Sequence, residues 1–285
     1  MRILRSAFLL GVLTLVLMMV GQYFGGRNGM TLGLGIAIVA NAFAYFFSDK
    51  IALASSRAQP VSREQWPRLY DVMERLAAKA NIPVPRLYII PEAAPNAFAT
   101  GRNPRHASVA VTKGLLELMN DEELEGVIAH ELSHVRNYDI LISSIAATLA
   151  GAITWIAHWG PWLGMGDGDD DRDRGGSWVF ALLLMILAPL GALLLQLGLS
   201  RQREYSADET GAQMVGNPYG LIQALQKLGA YNSRIPTTAI SPSTSALCIV
   251  RPLLGRGSGS SLFSTHPPLE DRIAALRAMT IVPRR

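Results

Sequence analysis

The order of apolar and polar positions divides the chain into four long apolar runs and two polar segments. Residues Ala7–Phe24, Thr31–Phe47, Ile140–Trp159 and Trp178–Leu199 contain no Asp, Glu, Lys or Arg. Each is long enough to cross a hydrocarbon core as a helix, which satisfies the backbone polar groups within the segment itself. They predict four transmembrane spans. Arg2 and Arg5 precede the first run as in a signal peptide, but Gly21-Gln22-Tyr23 is a poor cleavage site and a second run follows directly, so the first reads as an uncleaved anchor.

The polar segments have the rhythm of a folded domain. Ser62 with Gln65 is a capping-box start, Trp66, Leu69, Met73, Leu76 and Ala80 recur at helical spacing, and Asn81-Ile82-Pro83 stops the run. Arg86–Ile90 and Ser108–Thr112 are short β-branched or aromatic runs between turn residues, with a weaker strand at Asn96–Thr100. A small sheet follows from these. Asn120 with Glu123 opens another helix, which runs through Leu124, Val127, Ile128 and Leu132 toward the third span. Ser233–Ser264 is rich in Ser, Pro, Gly and Thr and reads as a long irregular connection, and a last short helix follows Pro268. The predicted organisation is a transmembrane hairpin in 1–48, the first half of a cytosolic domain in 49–139, a second hairpin in 140–199 and the second half of that domain in 200–285. The fold class is a mainly α membrane protein, with four transmembrane helices plus a cytosolic α+β domain containing a small sheet.

Composition agrees with this reading: 49 % of the 285 residues are hydrophobic and 17 % charged, with a mean hydropathy of +0.23, against about 25 % charged in ordinary soluble domains. The single cysteine, Cys248, excludes an intramolecular disulfide and any four-cysteine zinc site, and has no neighbour to activate its thiol. Net charge +4 and pI near 9.4 raise the question of nucleic acid. The distribution of the 26 Lys and Arg answers it: two precede span one, eleven lie between Lys50 and Arg136, and ten lie from Arg201 onward. Only Arg27, Arg172 and Arg174 fall in the two remaining loops. The positive-inside rule then places both termini and both large polar segments in the cytoplasm. No basic stripe interleaves with aromatics, so nucleic-acid binding is excluded. Asp167–Asp173 is acidic like the start of a calcium loop, but Arg172 stands where such a loop needs Gly and Trp178 where it needs Glu, so it reads as a solvated loop.

One motif carries chemistry. His130-Glu131-Leu132-Ser133-His134 lies on the helix opened by Asn120. Histidines at i and i+4 share one helical face, so both imidazoles can reach one tetrahedral Zn²⁺ while the Glu between them addresses a water. With five His and eleven Glu in the chain, this pattern arises by accident in about one such chain in three hundred. A catalytic zinc takes three protein ligands. His106, His158 and His266 are the other histidines, and no metzincin extension follows His134. Past span four, Glu204 and Asp208 again stand at i and i+4. One of these carboxylates can bind metal while the other accepts a hydrogen bond from the outer nitrogen of a ligand histidine. A hairpin of spans three and four returns this pair to the membrane face that holds His134.

The HELSHVRN-x-D block at His130–Asp139, the R-x-x-E-Y-x-A-D block at Arg201–Asp208, the NAFATG run at Asn96–Gly101 and the STHPP run at Ser264–Pro268 together resemble the HtpX family. These are bacterial membrane-bound zinc metalloproteases of membrane quality control, grouped with the CAAX prenyl endopeptidases as gluzincins. The resemblance covers nearly the whole chain, including four apolar segments in the same order. It implies a zincin-type protease domain with one Zn²⁺ per chain, His130, His134 and Glu204 as its ligands, Glu131 as catalytic base and Asp208 behind the ligands. It also implies a multi-pass protein of the bacterial inner membrane with a cytoplasmic active site. Zinc peptidases hold a substrate backbone against an edge strand, which makes Asn96, Ala97 and Phe98 candidate substrate-binding residues. The resemblance brings His266 near the site and makes it a further candidate substrate-binding residue. Asn137 and Asp139 are expected to cap or orient the active-site helix, His106 to be a loop residue and His158 an interfacial one.

The expected reaction is peptide hydrolysis without a covalent intermediate. Asp121, Glu122, Glu123 and Glu125 precede the motif, and four acids there are costly in lipid. The site is therefore expected at the cytosolic membrane surface, acting on membrane proteins or unfolded polypeptides. Two alternatives share the motif. A CAAX-type processing enzyme would need a larger intramembrane chamber than four spans build, and a zinc-stabilised adaptor would have no use for Glu131.

Overall fold

The structure is a computed structural model and describes residues 2–145, 201–234 and 267–279. Helix α1 (Arg2–Ser55) is two helices joined at a break, where Gly25 and Gly26 leave helical geometry and Gly26 takes φ +55°. Glycine adopts that conformation at little cost. The halves fold back side by side, with the Asn41 amide donating to the Leu10 carbonyl at 3.2 Å and to Thr14 Oγ1 at 2.9 Å. A Cβ on Gly21 would lie 2.1 Å from the Gly29 carbonyl oxygen, the close approach that small residues permit between membrane helices. Gly25–Ser55, with mean hydropathy 1.8, is the one helix among the described residues long and apolar enough to cross a membrane. The expected third span beyond residue 145, the fourth span, the acidic loop, His158, Cys248 and His266 lie outside the described residues.

Four strands form a mixed sheet in the order β1-β2-β4-β3. Strand β1 (Gln59–Pro60) is antiparallel to β2 (Arg86–Ile90), β2 is parallel to β4 (Ala107–Thr112), and β4 is antiparallel to β3 (Ala97–Gly101). The expected strands are present to within a residue or two. β1 was not expected, since two residues leave no pattern to detect. Strand alternation sorts the side chains: Ala97, Ala99, Val109 and Val111 enter the main core, while Phe98 and Ala110 turn to the other face and pack with Ala52 and Leu53 at the end of α1. The sheet thus joins the membrane helix to the rest of the domain.

Helix α2 (Pro67–Ala80) starts later than its sequence predicts. The Ser62 N–H does donate to Gln65 Oε1 at 3.0 Å, but Trp66 sits at φ −136°. The residue before a proline is pushed out of the α region, so the turn at Ser62 cannot run on into the helix. Past the short helix α3 (Lys113–Leu118), α4 (Asp121–Arg136) has the expected capping box, with both Asn120 and Glu123 engaged. It stops short of the apolar run that begins at Ile140, in keeping with the capping role expected of Asn137. Asn137 caps it, Tyr138 takes φ +60°, and the N–H groups of Tyr138 and Asp139 return to the carbonyls of Val135 and His134. This left-handed stop turns the chain before helical residues resume at 140. Helices α5 (Arg201–Val215), α6 (Tyr219–Arg234) and α7 (Leu269–Arg277) complete the described structure. α4 is the hub, packed by α2, α5, α6 and β3.

Candidate metal centre

The motif lies on the most buried stretch of α4, with both His130 and Glu131 under 5 % exposed. The glycine at 211 brings α5 against it: a Cβ there would meet the His130 backbone nitrogen at 3.0 Å. At this contact the ligating atoms of His130, His134 and Glu204 all lie within 4.8 Å of one another. The two Nε2 atoms are 3.3 Å apart, and Glu204 oxygens stand 3.7 Å from His130 Nε2 and 3.6 Å from His134 Nε2.

Carboxylates hold the outer nitrogens. His130 Nδ1 lies 2.8 Å from Asp208 Oδ1, and His134 Nδ1 lies 3.5 Å from Asp139 Oδ2. With Nδ1–H donated outward, each Nε2 turns its lone pair inward, the tautomer a metal ligand requires. Burial lowers the His130 pKa despite Asp208 and keeps the ring neutral. Burial also opposes charge on His134, yet the hydrogen bond to Asp139 and the Glu204 and Glu131 carboxylates prevail and raise its pKa. Carboxylates that favour positive charge at this point supply the electrostatics a bound cation needs. The donor set of two imidazoles and one carboxylate suits zinc.

Glu131 stands beside this group. Burial pushes its carboxyl up to about 7, against the pull of His134. At such a value one group can both take and release a proton near neutrality. Its Oε2 accepts the Ala99 N–H at 2.9 Å, so the free edge of β3 faces the motif. Of the expected substrate-binding residues, Asn96 is tied to β4 through Thr112, with its N–H to Thr112 Oγ1 at 2.8 Å and its carbonyl accepting the Thr112 N–H at 2.9 Å. Ala97 lies on the outer strand and Phe98 turns its ring toward α1, so a peptide along this edge would meet Phe98 only through its backbone.

Arg272 of α7 is the residue that sequence reasoning missed. Its guanidinium is 1 % exposed and forks onto Asp208, Nε to Oδ2 at 2.8 Å and the second nitrogen to Oδ1 at 2.6 Å. A further nitrogen lies 3.6 Å from Glu204 Oε2. Burial works against charge on both partners, but the pairing outweighs it: the Asp208 pKa is lowered and the Arg272 pKa raised. A signal for it existed. Leu269, Arg272, Ile273 and Leu276 occupy one face of α7, and a charge inside an apolar stripe requires a buried partner. Of the two residues expected to cap or orient α4, Asn137 is the C-cap and Asp139 contacts His134.

Comparison with known proteins agrees with this geometry. Residues 62–280 match the model of peptidase family M48. A "Protease HtpX homolog" of Desulfatibacillum aliphaticivorans is 54 % identical over 277 residues, 96 % of this chain and 88 % of that one. Its counterpart in Pelotomaculum thermopropionicum is 50 % identical over 281 residues, 98 % and 99 % of the two chains. The crystal structure of S. mikatae Ste24p superposes with a TM-score of 0.54 at 18 % identity, covering 96 % of this chain and 64 % of that one. At that identity the likeness is one of fold alone.

Proposed function

The chain belongs to peptidase family M48 and is a membrane metalloprotease, and from that premise we propose that it is a zinc endopeptidase cleaving cytosolic segments of misfolded or damaged membrane proteins. The observation that carries the site assignment is the convergence of His130, His134 and Glu204 beside a buried Glu131. In this reading those three residues hold one zinc ion per chain, which when bound polarises the scissile carbonyl and acidifies a water molecule. Glu131 takes the proton of the attacking water and delivers it to the leaving amine. Asp208 and Asp139 fix the two imidazoles, and Arg272 fixes Asp208. The outer edge of β3 holds the substrate backbone beside Glu131.

If this is right, Glu204→Ala and His134→Ala each lower zinc content together with activity, since each removes one of three ligands. Elemental analysis of the purified variants checks the ligand set, and full zinc occupancy in Glu204→Ala would move the third ligand elsewhere. Cleavage of an unfolded membrane protein by the wild type should stop with chelator and return with zinc.

The substrate class follows from placement. Ala52 and Leu53 of α1 pack against Ile90, Phe98 and Ala110 of the sheet, so the domain sits directly on the end of the membrane helix. Asp121, Glu122 and Glu123 on the first turn of α4 keep that helix out of lipid. We read the whole chain as four spans of the bacterial inner membrane, with both termini and the site in the cytoplasm. The two halves of the metal site then meet only if the spans at 140–159 and 178–199 both cross. In a Cys248→Ser background, an impermeant thiol reagent should label Asp170→Cys from outside, and the exposed positions Glu122→Cys and Glu209→Cys only after permeabilisation. Labelling of Asp170→Cys and Glu209→Cys from the same side would rule out the hairpin.

A further inference from the structure

A concave site that includes none of the proposed metal ligands lies at the stop of α4. A groove of about 740 Å³ opens between the end of α2, the 3₁₀ turn at Pro104–His106 and the stop of α4. Arg105, Arg136 and Tyr138 line it with Asn103, Ile82 and Pro83. Both arginines are exposed, and among the described residues neither forms an ion pair and no carboxylate lines the groove. Two guanidiniums, a phenol and an amide converging in one hollow form a donor set for a phosphate group, while Ile82 and Pro83 give it an apolar side.

Its position identifies the source of the phosphate. Arg102, one residue before Asn103, holds its guanidinium 5.3 Å over the ring of Phe46, and Lys50 lies 5.0 Å over Phe47. Both rings belong to the membrane helix and are about half exposed, as aromatics at a membrane interface are. On its other side the groove reaches Tyr138, just before the apolar run that starts at Ile140. It therefore opens at the level where headgroups lie. We infer that this groove binds the phosphate of an anionic phospholipid headgroup, with Arg105 and Arg136 as the charge-reading residues and the lipid's glycerol region against Ile82 and Pro83. The site seats the protease domain on the bilayer. The inference rests on α1 as a membrane helix and is independent of the zinc assignment.

The test uses full-length protein in micelles containing equal phosphatidylglycerol and phosphatidylcholine of the same acyl chains, with retained lipid counted by native mass spectrometry. Wild type should retain phosphatidylglycerol about tenfold or more over phosphatidylcholine, two interfacial arginines each favouring the anion severalfold. Arg105→Ser with Arg136→Ser should bring the ratio near unity, and Lys113→Ser with Arg277→Ser, two cations outside the groove, should leave it unchanged. An unchanged ratio in the first variant, or an equal loss in the second, overturns the proposal. So does displacement of the lipid by millimolar inorganic phosphate, which would mark a soluble-anion site. Photoactivatable phosphatidylglycerol on the wild type gives a reading without mutation: label should map to 80–83, 103–105 or 136–138, and label confined to α1 overturns the proposal. None of these readouts uses proteolysis, so their failure is distinct from failure of the catalytic reading.

Discussion

Glu131→Gln should lower kcat by about 10²–10⁴-fold while leaving fold and zinc content intact, because general base catalysis contributes on that order. Glutamine has the same shape, and its carbonyl oxygen can still accept the Ala99 N–H that Glu131 Oε2 receives at 2.9 Å. The contact between α4 and β3 therefore survives, and so do the imidazoles one residue before and three residues after. What is lost is a group that can carry a proton, in a pocket where burial already brings the carboxyl to about 7. The measurement is single-turnover cleavage by purified variant and wild type, with elemental zinc determined in the same samples. Equal cleavage refutes the base assignment, and a fall in zinc matching the fall in rate assigns Glu131 a part in metal retention.

Arg272→Met should be the most damaging change outside the metal ligands and Glu131. Methionine fills similar space without charge, so the loss is electrostatic: Asp208, 2 % exposed, loses both of its guanidinium bonds and remains buried. Removing one partner of a buried pair costs about 3–5 kcal/mol. Asp208 then gains a proton more readily and orients His130 less well, and loss of such an outer contact weakens metal affinity about 10–100-fold. Arg272→Lys should rescue little, since one ammonium cannot reproduce a fork reaching Nε to Oδ2 and a second nitrogen to Oδ1. Denaturant unfolding measures the stability loss, and zinc competition against a chelator of known affinity measures the effect on the site. Lower stability with unchanged zinc affinity would make the pair purely architectural.

The features legible in the sequence are those set within a turn or two of chain. The capping box at Asn120 and Glu123, the i and i+4 placement of His130 and His134, the same placement of Glu204 and Asp208, and the strands at 86–90 and 108–112 all follow from local periodicity and local hydrogen-bonding chemistry. Local reading also had specific limits. It ran α2 back to Ser62 because a capping pattern does not register the geometry Pro67 forces on Trp66, and it did not show the left-handed turn at Tyr138, φ +60°, which follows no glycine rule. Local periodicity left open which of the two carboxylates faces both imidazoles, an assignment that the family resemblance supplied, and tertiary structure alone decided which side of the sheet Phe98 takes and that Arg272 closes the back of the site. Each depends on segments far apart in sequence meeting at α4. A buried charge is stable only where some other segment brings the opposite charge to it, and that meeting is a property of the packed fold rather than of any window of the chain.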